Sequence, residues 1–337
     1  MNLIISEQLH NAITENKTIY KLFQPHEHKA RIYRFDLNES VINFQKKLYR
    51  FVCEHTTTAD ILHFILSFPT YIFPLKHANT VYSLTESSLG NVNIKGRILY
   101  LVNMLRAKYV DILDPVVYRN VCRYYFFKKN RIQFTPGSFT DTNVFKPEEN
   151  YKKENWFVFL GRFFYVKQGI RLLQVTPLIC EKLRSSGFDG FKFIFLGFGQ
   201  QEQEMLNIVN SQAYKGLPIE IKTTNAPEDI LEKSKVIFSL QLRNNYPSKS
   251  LLEGLAAGNI PLVTDVGTTR MIAKPGFSYY VPENFSANDI AAQLISILSL
   301  DEDAQQAKMK AARNFVINNF TIQASADYYA ALYGKFR

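Results

Sequence analysis

Gly161 and Arg162 directly follow the apolar run Trp156 to Leu160, and Lys167 and Gly169 open the helical pattern behind it. Two cations and a helix N-terminus at the carboxyl end of a strand suit a diphosphate, because they neutralise its charge and hold its oxygens. Exposed Arg and Lys are also ordinary surface residues, so the pair gains weight only beside a second stretch of the same kind. Val236 to Arg270 is that stretch. Val236 to Leu242 reads as a strand covered on both faces, Asn244 to Pro247 break it, and Ser248 to Ala257 reads as a helix ended by Gly258. The turn presents unpaired N–H groups and the positive end of a helix dipole, from Ser248 through Lys249 to Ser250, to an anion above the sheet. Glu253, one turn further in, has the reach to hydrogen-bond a ribose diol, or serves only as a favourable charge near the helix start.

Other candidates carry less chemistry. Gly197 and Gly199 in "LGFGQQEQE" invite a dinucleotide reading, but Glu202 fills the third glycine position and no ribose-binding acid follows. A tight strand-to-helix turn accounts for them better. His26, Glu27 and His28 in a polar segment read as solvated surface, and Asp301 and Asp303 as helix capping. Cys53, Cys122 and Cys180 form no Cys-x-x-Cys pair, which fits a reducing compartment and no zinc.

The elements that must position these residues alternate. Strands are expected at Arg31 to Phe35, Asp60 to Phe64, Thr80 to Leu84, Tyr109 to Leu113 and Arg131 to Thr135, with helical patterns near Phe44 to Val52, Gly96 to Lys108 and Val116 to Lys128. Before Gly90 there is no glycine, so the first half is not expected to cradle a diphosphate by close backbone approach. Phe145 to Asn155 reads as a charged linker. Beyond it come strands at Trp156 to Leu160, Phe191 to Leu196, Ile219 to Lys222, Ile260 to Thr264 and Phe277 to Val281. Helices are expected near Gly169 to Leu183 and Pro227 to Lys233, with Ile290 to Leu298, Ala307 to Phe315 and Ala324 to Tyr333 closing the chain. The pattern predicts an α/β protein of two Rossmann-like domains, residues 1–145 and 146–320.

A chain of 337 residues that is 46% hydrophobic and 14% aromatic can bury two cores and is not disordered. Its net charge of +10 favours anionic partners, namely nucleotide phosphates or acidic lipid surfaces, or is simply a basic solvated surface. Nucleic acid is not expected, since no basic arm or aromatic RNA-binding motif is present. No segment reads as a signal peptide or membrane span, so the expected location is cytoplasmic, peripheral on the inner face of the membrane.

With those residues in place, Trp156 to Phe320 resembles the donor half of a family 4 glycosyltransferase of the GT-B fold (glycosyl transferases group 1). "FLGRFFYVKQG" is similar to the family's Gly-Arg and Lys-Gly pair, "FIFLGFGQQ" to its third-strand Gly-x-Gly, and "YPSKSLLEGLAAGNIPLVTDVG" to its most specific block. The segment "IQFTPGSFTDTNVFKP" resembles the one that precedes the donor domain. The resemblance implies that Arg162 and Lys167 bind the donor diphosphate, with Gly161, Gly197, Tyr246, Ser248, Lys249 and Ser250 around the nucleotide and Glu253 on the ribose. Where the family usually has a second glutamate against the donor sugar, this chain has Asn245, an uncharged hydrogen-bonding group. On the acceptor side, Glu86 replaces part of the usual His-Asp, or is an exposed loop carboxylate. His63 resembles the family's strand-end histidine, or is a core histidine.

The resemblance implies a retaining, metal-independent hexosyltransferase with no cofactor, in which a C-terminal helix over 321–337 crosses back to the first domain. Its donor would be a nucleotide diphosphate sugar, UDP-linked by preference, and its acceptor a lipid-linked glycan in bacterial surface polysaccharide synthesis, whether capsule or lipopolysaccharide. A nucleotide-sugar epimerase of the same fold and a non-catalytic basic glycan- or nucleotide-binding module are the alternatives.

Overall fold

A computed structural model describes residues 3–6, 30–33, 41–64, 79–84, 94–135, 139–148, 151–244 and 246–336, with the single positions 11, 14, 24 and 27. The chain forms two compact units. The first comprises Met1–Ile112, Asn120–Gln133 and Phe336, and the second Leu113–Arg119, Phe134–Lys335 and Arg337.

The second unit is built on a six-stranded parallel sheet. Its strands are β7 (Glu154–Leu160), β8 (Lys192–Leu196), β9 (Ile219–Lys222), β10 (Ser234–Ser239), β11 (Ile260–Thr264) and β12 (Tyr279–Val281), in the spatial order β12-β11-β10-β7-β8-β9. The apolar runs that predict these strands follow from burial on both faces. Phe157, Phe159, Phe193, Phe195, Val236 and Phe238 point into one core, which α4 (Gly169–Ser185) and α8 (Ala287–Leu298) cover with Leu172, Leu173, Ile290 and Leu294. The alternate residues Val158, Ile194, Leu196, Ile237 and Val263 enter the other core, under α7 (Lys249–Ala256) and α9 (Glu302–Asn319). The chain runs outward from β7 through β8 to β9, then returns to the other side of β7 with β10. Neighbours β7 and β10 therefore flank the point where the strand order reverses, which is where ligands bind in open α/β sheets.

Caps fix the helix boundaries. Ser286 and Asp289 form a capping box on α8, and Asp301 accepts the Ala304 N–H at 2.7 Å to start α9. Gly258, at φ 77°, turns the chain out of α7. The expected charged linker is tied down: strand β7 already begins at Glu154, and the half-buried Lys153 donates through its ammonium to the carbonyls of Leu231, Glu232 and Ala257 at 2.6–3.0 Å. Those carbonyls end α6 (Glu228–Lys233) and α7, so Lys153 satisfies acceptors that a helix leaves open. Arg313 does likewise for Thr142, Phe145 and Ala256. Strand β12 is shorter than expected, because Phe277 and Ser278 bond back to Lys274 in a turn.

The first unit contains a sheet of order β3-β4-β5-β6, where β3 is Leu62–Phe64, β4 Thr80–Leu84, β5 Tyr109–Ile112 and β6 Ile132–Phe134. The β3–β4 and β4–β5 pairs are parallel. A separate parallel pair joins β1 (Leu3–Ser6) to β2 (Ala30–Tyr33). Helices α1 (Val41–His55) and α2 (Ile94–Arg106) follow β2 and β4 in the chain. The single helix expected over 116–128 is α3 (Pro115–Tyr124) followed by a separate 3-10 turn, Phe126–Arg131, which buries none of its residues. With no apolar stripe facing a core there, packing does not extend the α-helix through the aromatic run.

Candidate functional site

The loops after β7 and β10 carry the two stretches singled out in the sequence, and the structure joins them. The Leu242 N–H donates to the Val166 carbonyl at 3.0 Å. Behind the first loop, Gly161 N–H donates to Leu196 O at 3.0 Å and Phe163 N–H to Phe198 O at 2.8 Å. This close backbone approach explains the glycines. A Cβ on Gly197 would lie 1.8 Å from the Gly161 carbonyl oxygen, and one on Gly199 2.8 Å from that of Phe163. Gly197 thus supports the loop that presents Arg162.

Arg162 is exposed and Lys167 half-buried. Burial, and then the nearby Arg162 guanidinium, push the Lys167 ammonium down to about 8. Among the described residues neither cation has an ion-pair or side-chain hydrogen-bond partner. Two like charges near one another without a counter-charge favour a nearby anion, because it relieves their repulsion. Between Lys167 and α4 lies Gln168, at φ 55° and nearly fully buried, its amide donating to Glu283 O at 3.1 Å.

On the second loop, Ser248 is extended and makes no side-chain capping bond to α7. Among the described residues the Lys249 and Ser250 amides have no partner, so the first turn of the helix offers its N–H groups outward. Ser248 and Ser250 hydroxyls stand 3.5 Å apart, and Lys249 is exposed. Half-buried Glu253 has no hydrogen-bond partner for its carboxylate among the described residues. Burial pushes its pKa up to about 7, with Glu228 adding to the rise and Lys249 opposing it. A carboxylate so placed gains from any ligand that donates hydroxyls to it. Tyr246 lies half-buried against the ring of Phe134, at 6.3 Å between centroids. Asn245 and Glu86 fall outside the described residues.

Sequence reasoning left several neighbours unassigned. Ser239, Gln241, Thr268, Thr269 and Ile272 line a pocket with Tyr246, Ser248 and Leu251. Thr268 is held by Asn244, whose amide donates to Asp114 Oδ2 at 2.6 Å and whose oxygen accepts the Thr268 N–H at 2.9 Å and hydroxyl at 2.6 Å. Asp114 is fully buried, and its other oxygen accepts the Val116 and Val117 N–H groups at 2.7 and 2.9 Å, capping α3. The run "GTTR" in the loop after β11 is the signal that points to Thr268 and Thr269, by the same rule that singled out the loops after β7 and β10.

His63 lies in the first unit, on β3. It meets Ser83 Oγ through Nε2 at 2.7 Å, and Ser83 donates to Asp111 Oδ2 at 3.0 Å. One residue from each of three adjacent strands thus forms a polar chain. A serine hydroxyl has one proton, and Asp111 takes it, so Ser83 accepts from His63 and the imidazole carries its proton on Nε2. Burial pushes the His63 pKa down to about 4. Among the described residues no three His, Cys, Asp or Glu side chains converge as a metal site. Nor is any helix among them long and apolar enough to cross a membrane.

The family model described as glycosyl transferases group 1 matches residues 140–314. No curated protein sequence matches the chain. Solved structures do resemble it in fold. A glycosyltransferase from Rickettsia africae ESF-5 superposes with a TM-score of 0.72 at 15% identity, over 99% of this chain and 90% of that one. Anabaena Alr3699/HepE, solved with UDP and glucose, gives 0.69 at 9% identity, over 94% and 89%. TarM of S. aureus gives 0.68 at 15% identity, over 86% of this chain and 58% of that one. At such identities the likeness speaks for the fold, and the fold is the expected GT-B class.

Proposed function

This chain belongs to the glycosyl transferases group 1 family, and on that footing we propose that it moves a sugar from a UDP-sugar to a glycan acceptor. The observation that carries this reading is the un-neutralised pair Arg162 and Lys167 beside the uncapped start of α7, with Glu253 one turn inside it. HepE, of the same fold, has been solved with UDP-glucose, which favours uridine as the nucleotide. As the bond between the anomeric carbon and the diphosphate breaks, negative charge gathers on the leaving phosphate oxygens. Arg162, Lys167 and the Lys249 and Ser250 amides meet that charge from fixed positions. Glu253 accepts the ribose hydroxyls, and Asn245 contributes an amide to the donor sugar. A new bond from the anomeric carbon to the acceptor oxygen replaces the broken one, and the proton of the acceptor hydroxyl passes to an oxygen of the leaving diphosphate.

The finer reading is a retaining, metal-independent hexosyltransferase acting on a lipid-linked acceptor at the cytoplasmic membrane face, in the synthesis of capsule or lipopolysaccharide. The retaining outcome and metal independence rest on the family resemblance, the acceptor on the basic, aromatic first half. A thermal-shift panel of nucleotides and nucleotide sugars, followed by assay of UDP release with a membrane extract, tests it. A ligand at about 100 times its dissociation constant stabilises by about 2.7 kcal/mol, and Glu253→Ala is expected to lose most of that shift. An isomerised sugar formed from donor alone would point to an epimerase, and binding with no acceptor-dependent release to a non-catalytic module.

A further inference from the structure

The first unit bears an apolar surface that donor binding does not use. Between Asp114 and Asp141 the sequence has the cations Arg119, Arg123, Lys128, Lys129 and Arg131 and no acidic residue. Within that run Tyr124, Phe126 and Phe127 are 71%, 74% and 61% exposed. The rings are organised rather than splayed: Phe127 meets Phe126 edge-on at 5.8 Å and Tyr125 at 6.1 Å. Lys128 donates to the Leu105 carbonyl, which draws the end of α2 against the 3-10 turn. Helix α2 adds a stripe of its own, for Ile98, Val102 and Leu105 recur at the spacing of one helical face and all are exposed. Arg106, Arg123, Lys129 and Arg131 are exposed alongside it.

Large aromatic rings left in water within a patch of one charge sign mark an interaction surface. We propose that this surface docks the protein on an anionic lipid bilayer, with Phe126 and Phe127 at headgroup level and the surrounding cations on lipid phosphates. Aromatic rings settle at the polar–apolar boundary of a bilayer, and Lys and Arg stems extend from it to the headgroups. Charge complementarity selects the anionic leaflet. The proposal extends the lipid-linked reading of the acceptor, yet vesicle binding requires neither donor nor acceptor, so either can fail while the other stands.

Co-sedimentation of the full chain with phosphatidylcholine vesicles, with and without phosphatidylglycerol, is the test. Binding is expected only to the vesicles containing phosphatidylglycerol, and it should weaken as salt rises. F126S/F127S and K129E/R131E are each expected to lower partitioning by about tenfold or more, with melting temperatures unchanged because these side chains are exposed. Equal binding to both vesicle types, or wild-type partitioning by both variants, overturns the proposal. So does self-association, or capture of a single-stranded RNA oligonucleotide, that the same variants abolish in a protein that ignores vesicles.

Discussion

At the strand ends of the first unit, His63, Ser83 and Asp111 satisfy one another through hydrogen bonds of 2.7 and 3.0 Å. At those of the second, Arg162 and Lys167 crowd together without a counter-charge, and Glu253 stands without a donor among the described residues. Burial leaves His63 neutral in a pairing the protein completes by itself. In the second unit burial drives Lys167 and Glu253 toward their neutral forms, and a ligand with negative charge against Lys167 and hydroxyls against Glu253 would oppose both shifts. Polar groups that satisfy each other build a scaffold. Polar groups held in conflict await a partner.

The largest test of that contrast is removal of one of the conflicting cations. Arg162→Ala is expected to lose about 3 kcal/mol of transition-state stabilisation, about two orders of magnitude in turnover. Lys167→Met should lose as much activity without lowering the melting temperature, since it removes a desolvated like charge. Wild-type turnover in Arg162→Ala would sink the donor-site assignment. Next comes the backing of that loop. Gly197→Ala must separate two backbones, with an expected loss of about 3 kcal/mol, read as a fall in melting temperature and as weaker UDP binding.

A smaller effect distinguishes the units by pH. The His63 pKa is lowered on folding, so its contribution makes the protein more stable as pH rises from about 4 to 6.5. The Glu253 pKa is raised, so its contribution is greatest below 4.5 and is lost as pH rises through about 7. Each slope should reach about 2 kcal/mol after allowance for partial exposure. Calorimetric melts of His63→Gln and Glu253→Gln across this range should each lack one slope, and a variant that keeps its slope refutes the assignment for that residue. Last, Asn244→Ala leaves the Asp114 Oδ2 and the Thr268 N–H without their shared partner, at about 1–2 kcal/mol. Its effect on UDP affinity should exceed that of an exposed control such as Gln203→Ala, and equal effects would count against a positioning role.

What the sequence discloses follows from where burial is complete. Val158, Ile194 and Ile237 are at most 1% exposed, so their strands appear as unbroken apolar runs. Gly258 and Asp301 announce helix ends by local chemistry. The loops after β7 and β10 could be singled out because each pairs a strand end with a helix start. Contacts set by register or tertiary folding leave no such trace. Ser83 meets Asp111 because β4 and β5 align those positions, and Asp114 reaches Asn244 across 130 residues of sequence. Strand β1 is too short to register as a pattern until β2 pairs with it, and the 3-10 turn at Phe126 departs from a helical reading because none of its residues is buried.

The order of the six-stranded sheet also decides where the molecule can be altered. Both site loops leave the carboxyl ends of its central strands, whereas the turn before β9 enters the outermost strand from the opposite edge. Lys215 and Gly216 are exposed there, with Gly216 at φ 79° in the bend. A reporter peptide spliced between them would extend into solvent from the far side of the sheet, leaving the loops around Arg162 and Glu253 as they are.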